Sequence, residues 1–218
     1  VRFAMEQAGK NGWVLTQDTA WEGYEKIPGW IMQGYTTMAM EAVKQMKEER
    51  PTHIFLQAGV GAMSGALTGF FAELYGENKP IITIVEPNKA DCLFRTAEAN
   101  DGKLHNVTEE MDSIMAGLCC GKPCTIGWDV LKQHADYFLS IPDYVAAKGM
   151  RILGNPIGND TRIISGESGA STLGAVAEIM QNPALREMRE MLQLDEHAKI
   201  LCFSTEGDTD RKNYRRIV

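Results

Sequence analysis

No stretch of this chain is apolar for long enough to span a membrane. None joins a basic start to an apolar run as a secretory signal does. Concentrated positive charge is missing too. The net charge is −7, and the lone basic cluster, Arg211 to Arg216, is short and interrupted. It reads as a helix face near the end of the chain and not as a nucleic-acid surface. Cysteine is scarce and odd in number: five residues at irregular spacings exclude a secreted disulfide framework, and a reducing, cytoplasmic setting fits best. Cys92 and Cys120 stay open as a pair across a loop, which such a setting disfavours. Cys119-Cys120-x-x-x-Cys124 lacks CxxC spacing, and His53, His105, His134 and His197 show no pairing, so no metal site is expected. There is no internal repeat, no low-complexity linker and no initiator Met. The chain enters a helical pattern directly at Val1 and reads as a fragment of something longer.

What is present is an ordinary globular composition, 44% hydrophobic and 23% charged over 218 residues, enough for one large or two small domains. Helical and extended patterns alternate. Arg2 to Lys10 reads as a helix closed by Asn11-Gly12, and Trp13 to Thr16 as a strand ending on Gln17-Asp18-Thr19. Gly29 to Glu49 carries an apolar face through Ile31, Met38, Ala42 and Met46, and Pro51 marks its end. His53 to Leu56, Ile81 to Val85, Tyr137 to Ser140 and Lys199 to Phe203 read as further strands. Helices are expected over Ser64 to Tyr75, from Asn88, over Ser113 to Leu118, Gly127 to Ala135, Pro142 to Leu153, Gly166 to Met180 and Ala184 to Leu192. The twelve methionines suit helix packing. The pattern is α/β with a mostly parallel sheet flanked by helices, a class in which ligands sit at the carboxyl ends of strands.

The most informative stretch is Thr52 to Met63, THIFLQAGVGAM: a buried strand, a Gly-rich turn, then a helix start. Gly59 and Gly61 let the backbone turn sharply and offer free N–H groups beside the positive end of a helix. An anion, and most naturally a phosphate, fits there. The spacing GxGxxxG through Gly65 is neither GxGxxG nor GxxxxGK[ST]. Without other support, the turn is equally a plain βα connection. Four strand-end clusters could meet along one sheet edge: Gln17-Asp18-Thr19, Gln57 to Met63, Glu86-Pro87 and Ser204 to Asp208. A phosphate cradle, a carboxylate and a hydroxyl pair are what a phosphate-bearing organic cofactor requires.

Several motifs carry a family resemblance. QDTAWEGY (Gln17 to Tyr24), IPGWIMQGY (Ile27 to Tyr35), LQAGVGAMSGA (Leu56 to Ala66), IVEPNKADC (Ile84 to Cys92), IMAGLCCG (Ile114 to Gly121), GNPIGNDTRIISGESGA (Gly154 to Ala170) and STEGDTD (Ser204 to Asp210) follow one another in order. Together they resemble the diaminopropionate ammonia-lyase family, pyridoxal 5'-phosphate (PLP) enzymes of fold type II, like the tryptophan synthase β subunit. QDTAWEGY and NDTRIISGESGA are the specific motifs; the Gly-rich turn and the Glu-Pro element are shared more widely. The family is longer at the N-terminus. The resemblance therefore implies that the segment with the Schiff-base Lys is missing, and that this chain alone is inactive. Residues 1–50 are then the remainder of the smaller domain, and 51–218 the C-terminal part of the larger PLP-binding domain.

The implied reaction is α,β-elimination of 2,3-diaminopropionate to pyruvate and ammonia, by a cytoplasmic homodimer acting on a small amino acid. A serine/threonine dehydratase and a non-catalytic fragment of the same fold are the alternatives. Gly59, Val60, Gly61, Ala62 and Met63 are expected to hold the PLP phosphate. Asp18 stands where the family has an acid/base for one substrate enantiomer, and is otherwise a turn carboxylate before Trp21. Ser204 or Thr205 is expected to meet the pyridine nitrogen, and is otherwise a strand-end turn. Glu167 is expected near the cofactor ring, and is otherwise a carboxylate satisfying a helix N-terminus. Trp21 and Tyr24 either wall the substrate pocket or belong to the core.

Overall fold

Four short apolar segments build one parallel sheet. In the computed structural model, which describes residues 2–218, β1 (His53–Gln57), β2 (Ile81–Pro87), β3 (Tyr137–Ile141) and β4 (Ile200–Cys202) lie in the order β3-β2-β1-β4. Every neighbouring pair is parallel, with Phe55 opposite both Thr83 and Cys202. Side chains alternate between faces. Ile54, Leu56, Ile82 and Ile84 enter one core, whereas Phe55 and Val85 enter the other. Both faces are covered, which is why these strands read as unbroken apolar runs.

On the first face lie α2 (Lys26–Met46), α3 (Ala62–Tyr75) and α5 (Thr125–His134). On the second lie α6 (Asp143–Gly154), α7 (Glu167–Gln181) and α8 (Arg186–Met191). Three more helices sit at the margins: α1 (Arg2–Asn11), α4 (Cys92–Ala99) and α9 (Arg211–Ile217). The basic cluster at the end of the chain is thus a helix, as expected. No helix among the described residues is long and apolar enough to cross a membrane.

Two expected elements do not form. Trp13 to Thr16 is not a strand: no strand among the described residues pairs with it, and Trp13 and Val14 stand 65% and 77% exposed. A ladder needs a partner, so local β propensity is not sufficient. Ser113 to Leu118 is not an α-helix; only Ala116–Leu118 winds, as one 3-10 turn. There Ser113 Oγ donates to Asp143 (2.6 Å) and accepts from Met115 N–H, so the side chain competes with helix bonding. The helix expected from Asn88 starts later, at Cys92, because the chain first makes a turn after Pro87.

The helices on the second face meet through backbone. A Cβ on Gly149 would lie 2.1 Å from Ala170 O, and one on Gly174 2.0 Å from Val145 O. The α6–α7 contact therefore tolerates no methyl group at either position. Beyond the end of β2, α4 is anchored by Glu86. This fully buried carboxyl accepts N–H bonds from Leu93 (3.0 Å) and Phe94 (2.7 Å) at the first turn of α4. Burial pushes it up to about 8; the two main-chain N–H groups pull down, and the Asp91 charge adds to the rise.

Gly149→Ala is expected to cost about 2 kcal/mol or more in urea unfolding, since the helices must separate. Gly9→Ala in α1, with nothing among the described residues within 4 Å of the new methyl, is expected to be neutral or stabilising. For Glu86, the unfolded carboxyl ionises near 4.5 but the folded one only near 8. Between these values the unfolded state binds fewer protons, so stability falls as pH rises, by at most about 1.4 kcal/mol per pH unit. Thermal unfolding at stepped pH is expected to show the parent losing stability relative to Glu86→Gln from pH 5 to 8 and no further above that. A difference independent of pH would show that Glu86 is ionised throughout.

Candidate cofactor cleft

The turn from β1 into α3 sorts its polar groups by direction. Gly61, at φ +93°, adopts a left-handed conformation that a side chain would strain, and it starts α3. The carbonyls point away into the protein: Val60 O accepts from Cys124 N–H (2.7 Å), Gly61 O from Gly65 N–H (2.9 Å), and Gly59 O faces the Cys92 thiol at 3.8 Å. The amides of Gly61, Ala62, Met63 and Ser64 find no protein acceptor among the described residues. These are the orphan donors of a helix N-terminus. Neighbouring backbone fixes the turn from behind, since a Cβ on Gly127 would lie 2.5 Å from Gly61 O.

The amides open into a cleft of about 740 Å³, lined also by Asp18, Tyr35, Gln57, Gly117, Leu118, Cys120, Ser168, Thr205 and Glu206. No lysine or arginine lines it among the described residues, so an anion there is held by main-chain N–H groups and the helix dipole. Three buried polar atoms on its wall have no partner among the described residues: Ser64 Oγ, Ser168 Oγ and Gln57 Oε1. Orphaned groups of this kind are expensive unless something polar meets them. Free amides at one end and unpaired hydroxyls along the wall fit a phosphate-bearing ring compound.

Of the expected site residues, the structure brings together Asp18, Gly59, Val60, Gly61, Ala62, Met63 and Thr205 on this cleft. Asp18 is half-buried, in a loop pinned by α5: Ala20 N–H donates to Cys124 Sγ (3.3 Å), and Cys124 Sγ–H to Asp18 O (3.4 Å). Burial first, then the Asp18 charge, raises the Tyr35 phenol and the Cys120 thiol. Thr205 Oγ1 accepts from Gln57 Nε2 at 2.8 Å. Ser204 is off the cleft and donates to Ser165 (2.8 Å) beneath it. Glu167 is also off the cleft, buried in the first turn of α7 and accepting from Asn213 (2.5 Å). One position further round the helix, Ser168 faces the cleft instead, its own N–H bonded to Glu206 Oε2 at 2.6 Å.

Trp21 and Tyr24 divide the two readings given for them. Trp21 lines a smaller, mostly apolar cavity of about 570 Å³ that shares Val60 and Cys120 with the cleft. Tyr24 stacks on Trp21 and its hydroxyl donates to Leu15 O (2.7 Å), so it props the loop. Cys92 and Cys120 are free thiols on either side of Gly59. Glu86, a strand-end candidate, does not line the cleft, because α4 occupies its carboxylate.

Sequence reasoning did not single out Tyr35, Gln57, Gly117, Ser168 or Glu206. Gln57 and Glu206 lay inside strand-end clusters, where position was a signal. Ser168 was hidden by its neighbour Glu167, since only the helix phase decides between them.

The chain is 52% identical over its whole length to the diaminopropionate ammonia-lyase of Escherichia coli K12 and 50% identical to that of Salmonella typhimurium LT2. It spans about half the length of these curated relatives, 55% in each case. A crystal structure of the Escherichia coli enzyme in complex with an aminoacrylate-PLP azomethine reaction intermediate superposes at TM-score 0.93. The two are 50% identical, with 100% of this chain and 55% of that one covered. A tomato (Solanum lycopersicum) threonine deaminase shares the fold at TM-score 0.77, at 16% identity over 98% of this chain and 54% of that one. The pattern of pyridoxal-phosphate dependent enzymes matches residues 1–203, and with the fold-type-II sheet and the amide-lined cleft it shows that this chain belongs to the pyridoxal-phosphate dependent enzyme family.

Proposed function

We propose that this chain is the cofactor-binding portion of a PLP-dependent ammonia-lyase that eliminates ammonia from 2,3-diaminopropionate. One observation carries the reading. The free amides of Gly61 to Ser64, the Asp18 carboxylate and the Thr205 hydroxyl share a single cleft, in a chain 52% identical to enzymes of that name. The overall reaction takes diaminopropionate and water to pyruvate and two ammonia molecules. Residues 1–50 belong to the smaller domain and 51–218 to the larger one in this reading. A cytoplasmic setting is supported by the five free thiols. A homodimer rests on the resemblance alone and is a matter for light scattering.

Bound PLP supplies an electron sink for the pair left when a proton leaves the substrate α-carbon. The residues of this chain do the rest. The loop from Gly59 to Met63 binds the phosphate without a cation, which fixes the ring end of the cleft. Thr205 orients the ring through its nitrogen, with Ser204 and Ser165 holding the strand end behind it. Glu167 plays its part from behind the wall, by fixing the first turn of α7 so that Ser168 faces inward. Asp18 accepts the α-proton of one enantiomer. No lysine among the described residues lines the cleft, so the amine that would carry the cofactor is not supplied from this wall.

The 218-residue chain by itself is therefore expected to show no Schiff-base absorbance with added PLP and no ammonia release. A chain of the relatives' full length is expected to show both, with diaminopropionate turned over well ahead of serine. Activity in the short chain would show that one of its own lysines carries the cofactor; a preference for serine would make the enzyme a dehydratase.

In the full-length enzyme, Asp18→Asn is expected to lower kcat on one diaminopropionate enantiomer by roughly 10²-fold or more, the range for losing a general base. The opposite enantiomer, whose α-proton lies on the other face, is expected to suffer less, with PLP affinity nearly unchanged. Equal, small losses on both enantiomers would return Asp18 to the role of a turn carboxylate.

A further inference from the structure

Gln57 is buried at the carboxyl end of β1 and plays no part in the chemistry above. Its amide nitrogen lies 2.7 Å from Phe203 O and 2.8 Å from Thr205 Oγ1. The orientation of a side-chain amide is usually ambiguous, but here a neighbour settles it. Phe203 O is a main-chain carbonyl and can only accept, so the atom facing it must be the nitrogen. That nitrogen has two hydrogens, one for Phe203 O and one for Thr205 Oγ1. The Thr205 hydroxyl is thus already an acceptor on its protein side. Its own hydrogen has no protein acceptor among the described residues, and Thr205 lines the cleft.

We propose that Gln57 is a positioning residue that sets the polarity of the Thr205 hydroxyl. By donating to Thr205 Oγ1, it commits the hydroxyl hydrogen to the cleft, so that the cofactor's ring nitrogen meets a donor and stays unprotonated. This rests on the reading that Thr205 meets that nitrogen; what is added is the group that decides which partner carries the proton. A threonine alone could donate or accept equally well. An uncharged ring nitrogen is a weaker electron sink than a pyridinium. With Gln57 in place, the wall admits only the weaker form, which is enough to expel a β-leaving group and limits proton return to the cofactor's C4′ carbon, outside the ring.

The test is a double-mutant cycle in the full-length holoenzyme, read by PLP affinity and by the visible band of the bound cofactor across pH 6 to 9. Thr205→Val is expected to weaken PLP binding roughly 3- to 10-fold, the range for one hydrogen bond. Gln57→Met, which keeps volume and removes the donor, is expected to weaken it less and to make the visible band titrate. Adding Gln57→Met to Thr205→Val is expected to change nothing further, because Gln57 acts only through the hydroxyl. If the two factors multiply instead, Gln57 is a structural residue and the proposal fails while the Thr205 contact stands. If Thr205→Val leaves PLP affinity unchanged, the contact itself fails and the proposal with it. A measurement that needs no variant decides independently. The 15N shift of ring-labelled PLP in the parent enzyme is expected in the unprotonated range, and a pyridinium shift would overturn the proposal.

Discussion

A backbone whose carbonyls are all engaged elsewhere is what leaves free amides at the turn between β1 and α3, where an anion would fit. Val60 O and Gly61 O are taken by Cys124 and Gly65, and Gly59 O faces Cys92. With the acceptors turned into the protein, the donors face the cleft, and the first turn of α3 supplies the field. The rest of the structure serves that arrangement. The sheet delivers β1 to the turn, α5 comes close enough through Gly127 to hold it from behind, and α4 sets Leu93 against Gly61. Glu86 belongs to the same construction, since it fixes the first turn of α4.

The same economy governs the opposite wall. The first turn of α7 is held by Glu206, which accepts Ser168 N–H with its side chain and Gly166 N–H with its carbonyl. Thr205, next to Glu206, is held by Gln57 from the neighbouring strand. The segment after β4 is therefore tied to β1 on one side and to α7 on the other, although it has no regular structure of its own. Asp18 completes the third side from a loop pinned by Cys124, whose main-chain N–H also holds Val60 O. One cysteine couples the Asp18 loop to the glycine turn after β1.

Much of this was legible in the amino-acid order, and the reason is physical. Strands buried on both faces must be apolar throughout, so the runs at residues 53, 81, 137 and 199 could be read directly. A tight βα turn needs glycine, so the loop from Gly59 to Gly61 announced itself. What could not be read depended on partners distant in the chain. Trp13 to Thr16 has strand composition but no strand beside it. Ser113 to Leu118 has helix composition, but Asp143, thirty residues on, captures the serine that would begin it.

The site divides along the same line. By itself the sequence determined the parallel α/β class and the glycine turn after β1, because each follows from unbroken apolar runs or from local backbone geometry; Asp18 and Thr205 took roles only through the family resemblance of their motifs. Only the tertiary structure decided that Ser168 and not Glu167 faces the cleft, that Glu86 is consumed by α4, and that Gln57 donates to Thr205. Those outcomes depend on helix phase and on contacts between residues 146 and 148 positions apart for Gln57, and local propensity carries no information at that range.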